Sequence, residues 1–120
     1  MDHQVKVSYW YTEDDMKNIL SKCLEFSEYW ARLLKTDIWD NQPEDMSDAD
    51  YAYRLLVDGE DIWFIDEMNN DDERSMNLSD FYTGIGKALR WHDWSGVMDN
   101  LGSIAADSIM QYTLLGTVEY

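Results

Sequence analysis

Small or apolar residues recur at spacings of three and four from Met16 to Leu34: Met16, Ile19, Leu20, Cys23, Leu24, Ser27, Trp30, Leu33 and Leu34. That spacing predicts one apolar stripe along an α-helix over 13–35, widened by Phe26 and Tyr29, with Lys17, Lys22, Arg32 and Lys35 off it. Thr12 stands where an N-cap belongs. Glu13, Asp14 and Asp15 follow in the first turn, where the helix dipole favours carboxylates. Ahead of this helix, Val5 to Tyr11 starts with period-two alternation in β-branched and aromatic residues, which predicts a strand.

Residues 36–46 hold the only proline, Pro43, and predict a loop. Ile38 and Trp39 within it either anchor the loop on the core or face a partner. Ser47 is a second N-cap, with Asp48 and Asp50 in the first turn of a short helix. That helix runs to Asp58, with Gly59 as its stop. Ile62-Trp63-Phe64-Ile65 is an apolar run too short for a helix, and it predicts a strand covered on both faces. Asn69-Asn70-Asp71-Asp72 is turn chemistry, so Glu73 to Leu78 returns as the second arm of a hairpin.

Ser79 caps a third helix with Phe81, Ile85, Ala88 and Leu89 on its apolar face and Gly84 placed for close packing. Trp91 to Gly96 is a break. Ser103 caps a last helix that Gly116 ends, and Thr117 to Tyr120 is an edge-strand candidate. The expected fold class is α+β, a single domain over 1–120. Its small antiparallel sheet of three strands (5–11, 62–65 and 73–78) is packed by four helices.

Charge changes this picture most. The chain carries −16 in 120 residues, and the charge is regional. Between 37 and 80 lie fifteen carboxylates against two bases, Arg54 and Arg74, a net of −13. Phosphate would be repelled, so direct nucleic-acid binding is not expected, and anionic membranes are disfavoured for the same reason. A basic partner and fast, salt-sensitive association are favoured. Aromatics are too frequent for a disordered acidic tail. Cys23, the single cysteine, excludes an internal disulfide and any Cys-cluster zinc site, and points to the cytoplasm. No apolar run has the length of a membrane span, and 1–4 carry no secretory-signal pattern.

The chemistry of catalysis is thinly represented. A general acid needs a buried carboxyl of raised pKa, and the acids here fall at caps, turns and strand flanks. Asp66 to Glu73 is the one dense cluster, but it lacks the glycine and ligand spacing of an EF-hand. His92-Asp93 makes neither a facial triad nor a zinc set. Cys23 lies on an apolar face, where cysteine is inert core. No catalytic residue, cofactor or metal is expected. Trp10, Trp30 and Trp63 are expected in the core. The candidate contact residues for a partner are Asp37, Asp40, Glu44, Asp45, Asp58, Glu60, Asp61, Asp66, Glu67, Asp71, Asp72 and Glu73. Trp39, Trp91 and Trp94, in or beside loops, join them.

Carboxylates four apart on a helix lie about 6 Å apart along its axis, and alternate strand residues about 6.6 Å. Phosphates follow every 3.4 Å or so along a DNA strand. A rigid acidic array can therefore stand in for DNA.

The strand Ile62 to Ile65, the acidic turn after it and Leu78-Ser79-Asp80-Phe81-Tyr82-Thr83-Gly84-Ile85 resemble a group of small acidic proteins of phages and mobile elements. The ending Ala106 to Gly116 is similar to them too, so the resemblance covers roughly 55–120. It implies a mobile-element origin and carries over no catalytic residue. Together with the charge it gives the expected function. This is a non-enzymatic, cytoplasmic inhibitor of anti-CRISPR or anti-restriction type, monomeric or homodimeric, that binds the basic nucleic-acid-binding surface of a host defence protein as a DNA mimic. The alternative is a phage accessory or assembly protein that holds its partner through exposed aromatics.

Overall fold

The α+β architecture rests on one three-stranded antiparallel sheet in the order β1-β2-β3, formed by Ala31–Leu34 (β1), Ile62–Asp66 (β2) and Asp72–Met76 (β3). It is seen in a computed structural model that describes residues 11–92 and 102–120, the side chains of 89–92 excepted. Four helices accompany it among the described residues: Glu13–Phe26 (α1), Asp48–Val57 (α2), Leu78–His92 (α3) and Ser103–Leu115 (α4).

The first helix starts where its cap predicts. The Asp15 amide donates to Thr12 Oγ1 at 3.1 Å and the Thr12 amide to the Asp15 carboxylate at 2.9 Å, a reciprocal capping box. It ends at Phe26, nine residues short of the expected 35. Ser27 to Trp30 form a turn, with the Trp30 and Ala31 amides both on the Ser27 carbonyl. Ala31 to Leu34 then join the sheet beside β2. Ala-Arg-Leu-Leu has helix-forming side chains, so partner-strand pairing has overridden local preference here. The strand expected from Val5 to Tyr11 lies outside the described residues except for Tyr11, which is not in a strand. The third strand of the sheet is β1.

Other boundaries follow the sequence closely. The second helix has Ser47 as N-cap, its hydroxyl accepting from the Asp50 amide at 3.1 Å. Gly59 stops it at φ 87°, a conformation glycine adopts without strain. The cap of α3 is Asn77 rather than Ser79: the Asp80 amide donates to Asn77 Oδ1 at 2.8 Å and Asp80 returns the bond at 3.0 Å. Asn77 and Asp80 satisfy two orphan backbone amides reciprocally, an arrangement Ser79 lies two positions too late to make. Helix α3 also continues through Trp91 and His92, where a break was expected. Ser103 is the first residue of α4, after an N-cap at Gly102 without a side-chain bond. Gly116 closes α4 in the left-handed conformation.

Alternation along β2 decides how the sheet sits. Ile62, Phe64 and Asp66 are buried, whereas Trp63 and Ile65 are half-buried, so this strand is covered fully on one face only. The core gathers Ile62, Phe64 and Met76 from the sheet with Leu20, Cys23, Ala52, Leu56, Phe81, Ala88, Ala106 and Met110 from the four helices. Thr117 to Tyr120 form no strand. The Glu119 and Tyr120 amides both donate to Gln111 Oε1 at 2.7 Å, which folds the end of the chain back along α4.

Candidate acidic interface

Eleven of the fifteen acids between 37 and 80 fall in or beside three connections, each held by local bonds; Asp48 and Asp50 lie in α2, Asp66 in β2 and Asp80 in α3. The first follows β1, where one turn of 3-10 helix, Asp37–Trp39, begins the loop. Trp39 is buried against Tyr51 with ring centroids 5.3 Å apart, and Tyr51 donates its hydroxyl to the Ile38 carbonyl at 2.9 Å. These contacts pin the loop on α2 and leave Asp37, Asp40, Glu44 and Asp45 exposed. The second connection joins α2 to β2 through Asp58, Gly59, Glu60 and Asp61, all exposed. The third is the hairpin turn. Asn70 and Asp71 adopt φ 57° and 56°, and the Asp72 amide donates to the Asn69 carbonyl at 3.1 Å. Two consecutive left-handed residues make a primed turn, and Asn and Asp tolerate it best after glycine. Asp71, Asp72 and Glu73 are exposed there.

The strand register sets what comes together. Leu34 pairs with Trp63, so the loop of Asp37 and Asp40 and the turn of Glu60 and Asp61 share one end of the sheet. Asp66 pairs with Asp72, which puts the hairpin acids at the other end. Four strand steps, about 13 Å, separate the two ends. Ten of the candidate carboxylates have exposed side chains with no ion pair or hydrogen bond among the described residues: Asp37, Asp40, Glu44, Asp45, Asp58, Glu60, Asp61, Asp71, Asp72 and Glu73.

The five other candidates stand differently. Asp66 is 1 % exposed, because it continues the inward alternation of Ile62 and Phe64. It accepts from Arg74 Nε at 3.0 Å, from the Tyr120 hydroxyl at 2.9 Å and from the Met68 amide at 3.1 Å. A carboxylate so enclosed is structural, and it corrects the expectation of a partner contact there. Glu67 is exposed but already bound to Arg32 Nε at 2.7 Å. Trp39 is buried, as the anchoring alternative has it, and offers a partner no surface. Trp91 belongs to α3, its side chain outside the described residues, and Trp94 lies outside them altogether. Of the tryptophans expected in the core, Trp30 is fully buried, Trp63 is half-buried on the outer face of the sheet, and Trp10 is not among the described residues.

One polar network among the described residues gives little sign of itself in the sequence. Asp107, on α4, receives Ser27 Oγ at 2.8 Å, Trp30 Nε1 at 2.7 Å, Gln111 Nε2 at 3.0 Å and the Tyr29 hydroxyl. Gln111 in turn holds the Tyr120 amide, the Tyr120 ring packs 5.0 Å from Trp30, and its hydroxyl reaches Asp66. One network therefore joins the α1–β1 turn, α4, the end of the chain and the hairpin. Its one signal in the sequence is a lone carboxylate within Ala105-Ala106-Asp107-Ser108-Ile109-Met110, an otherwise uncharged helix. Asp107 also explains why the chain turns at Ser27: three donors within four residues, on Ser27, Tyr29 and Trp30, are drawn to one acceptor.

Two titrations report on this hub. Burial pushes the Cys23 thiol far up, with the Asp107 charge adding to it, so the sulfur stays protonated. Desolvation, then the hydrogen bond to Asp107 and its charge, push Tyr29 from the usual 10.0 up to about 12. A raised folded-state pKa stabilises the fold fully below the unfolded value near 10, and that contribution is lost as pH rises through about 12. Following phenolate absorbance with pH should show Tyr29 ionising near 12. Asp107→Asn should bring it part-way back towards 10, since desolvation remains.

Among the described residues no group of three or more His, Cys, Asp or Glu side chains is arranged to hold a metal ion, and no helix is long and apolar enough to cross a membrane. No protein family, curated protein or solved structure matches the chain.

Proposed function

We propose that the chain is a non-enzymatic inhibitor of phage type whose acidic turns occupy the basic nucleic-acid-binding surface of a host defence protein, a CRISPR effector or a restriction enzyme, in place of DNA. What carries this reading is the set of ten exposed carboxylates that no cation among the described residues neutralises. Keeping like charges close costs stability through repulsion. Screening by salt should lessen that cost, and so should cations supplied by a partner. The turns are held by backbone hydrogen bonds of their own, so less ordering entropy is lost on binding. Their separation across the sheet, about 13 Å, is comparable with the roughly 12 Å major groove that separates phosphate rows in B-DNA. An accessory protein acting through Trp39, Trp91 and Trp94 is the weaker reading, because Trp39 is buried.

The test reverses Glu60, Asp61, Asp72 and Glu73 to Lys. Asp66 and Glu67 stay, since they hold Arg74 and Arg32, and Asp71 stays because its φ of 56° suits few residues. Bacterial proteins that the native chain captures, and that duplex DNA releases, should no longer be captured. The circular dichroism spectrum should not change. Capture should also weaken steeply as salt is raised. Undiminished capture by the reversed chain, or capture that DNA does not compete, would refute the proposal.

A further inference from the structure

Among the described residues the sheet leaves one strand edge open beside a charged groove. There strand β1 pairs with β2 on one side only. The Glu67 amide donates to the Trp30 carbonyl at 2.8 Å, which makes them a bonded pair in the register that continues from Ala31↔Asp66 to Leu34↔Trp63. Bonded and non-bonded pairs alternate along an antiparallel ladder. Arg32 and Leu34 therefore give their main-chain groups to β2, and Leu33 turns its amide and carbonyl the other way. The Ala31 amide is taken by the Ser27 carbonyl at 2.8 Å, which leaves the Ala31 carbonyl on the open side.

Along this edge runs a groove of about 670 Å³, lined by Leu24, Glu25 and Glu28 on one side, the residues of β1 on the other, and Asp48. Its cations are already engaged, Arg32 with Glu67 at 2.7 Å and Lys35 with Asp48 at 2.9 Å. Among the described residues Glu28 has no ion pair, and Glu25 has only Lys22 at 4.0 Å. Free backbone donors and acceptors, an apolar contact and unneutralised carboxylates thus meet in one place.

We propose that this edge takes up an extended basic segment of a partner protein as a fourth strand. The Ala31 carbonyl and the Leu33 amide and carbonyl supply ladder bonds, Leu24 and Leu33 receive an apolar side chain, and Glu25 and Glu28 select Lys or Arg at alternate positions. A second copy of this chain is a poor occupant, since each copy carries −16 and a short edge bearing Arg32 resists self-pairing. The site shares with the acidic turns only the basic character of its partner, and the two are tested separately.

The probe is a capped peptide of alternating Lys and Val, followed by amide hydrogen exchange. In the free protein the Leu33 amide exchanges fast. Saturating peptide slows it by about tenfold or more, while the Arg32 and Leu34 amides, already bonded to β2, hardly change. The same peptide N-methylated at alternate residues gives no protection. Glu25→Lys with Glu28→Lys, both exposed positions that leave the core untouched, weakens the peptide by roughly tenfold. Reversal of Glu60, Asp61, Asp72 and Glu73 leaves the Leu33 protection in place. A Leu33 amide already slow without peptide, protection that grows with protein concentration, or equal effects from the N-methylated peptide would each overturn the proposal.

Discussion

Replacing Asp107 by alanine is expected to lower the unfolding free energy by about 3–5 kcal/mol, among the largest effects a single substitution has. The cost arises from the donors left behind. Ser27 and Trp30 are fully buried and Gln111 is nearly so, and Asp107 is the acceptor of all three side chains. An unsatisfied buried donor costs about 1–3 kcal/mol. Tyr29 is half-exposed and can turn to water, so it adds little. The Ser27 hydroxyl can rotate, whereas the indole N–H of Trp30 is fixed by its packing against Tyr120. Asp107→Asn keeps the shape and one acceptor oxygen but presents an amide donor to the remaining partners, and should cost about half as much. Urea unfolding measures both, as a fall in midpoint at constant slope. Since small domains keep roughly 5–15 kcal/mol in all, the alanine variant should be marginally folded. If both variants unfold within about 0.5 kcal/mol of the native chain, the hub is not what fixes the α1–β1 turn.

Local signals were readable wherever local physics decided the outcome. Thr12 and Ser47 cap their helices, Gly59 and Gly116 end theirs at positive φ, and the Asn70-Asp71 turn makes the hairpin. Each of these depends on a few residues adjacent in sequence. The sequence misleads at Ser27 to Leu34, where the apolar spacing of a helix continues unbroken. What ends the helix is a carboxylate 80 residues away, reached by Ser27 Oγ, and periodicity cannot register a bond across such a separation. The same holds for the third strand of the sheet. Ala31 to Leu34 carry no strand signature, and their conformation is imposed by β2.

The acids divide along the same line. Exposure was legible for those in loops and turns, because a turn rich in Asp and Asn is solvated whatever lies beneath it. Asp66 was not, although it occupies the next inward position after Ile62 and Phe64. Its partners Arg74 and Tyr120 lie 8 and 54 residues away. A regional charge of −13 thus contains at least one carboxylate that works inward, and Asp48 and Glu67 are partly neutralised by Lys35 and Arg32. The surface left for a partner is smaller than the composition suggests, and better defined.

Gly84→Ala is expected to destabilise the fold by about 2 kcal/mol, against the usual direction for a glycine in a helix. On an open helix face the change gains up to about 1 kcal/mol, because alanine loses less backbone freedom. Gly86, exposed two residues on with nothing near a new methyl group, should behave that way. Position 84 faces α4 across the most extensive interface between any two elements of the fold. A methyl group there would collide with Thr113 Oγ1 and lie 3.0 Å from both Thr113 Cβ and the Ile109 carbonyl. Thr113 has little freedom to yield, since its hydroxyl donates to that same Ile109 carbonyl at 2.7 Å. The helices must then separate, which loosens Ala88, Ala105, Ala106 and Ile109 in the core. Thr113→Ala removes the closest atom and should recover part of the loss, but not all, because the backbone carbonyl remains. Thermal unfolding of the two alanine variants in parallel decides the matter: Gly86→Ala should melt slightly above the native chain and Gly84→Ala well below it. Equal melting temperatures would mean that α3 and α4 do not approach as closely as Gly84 allows.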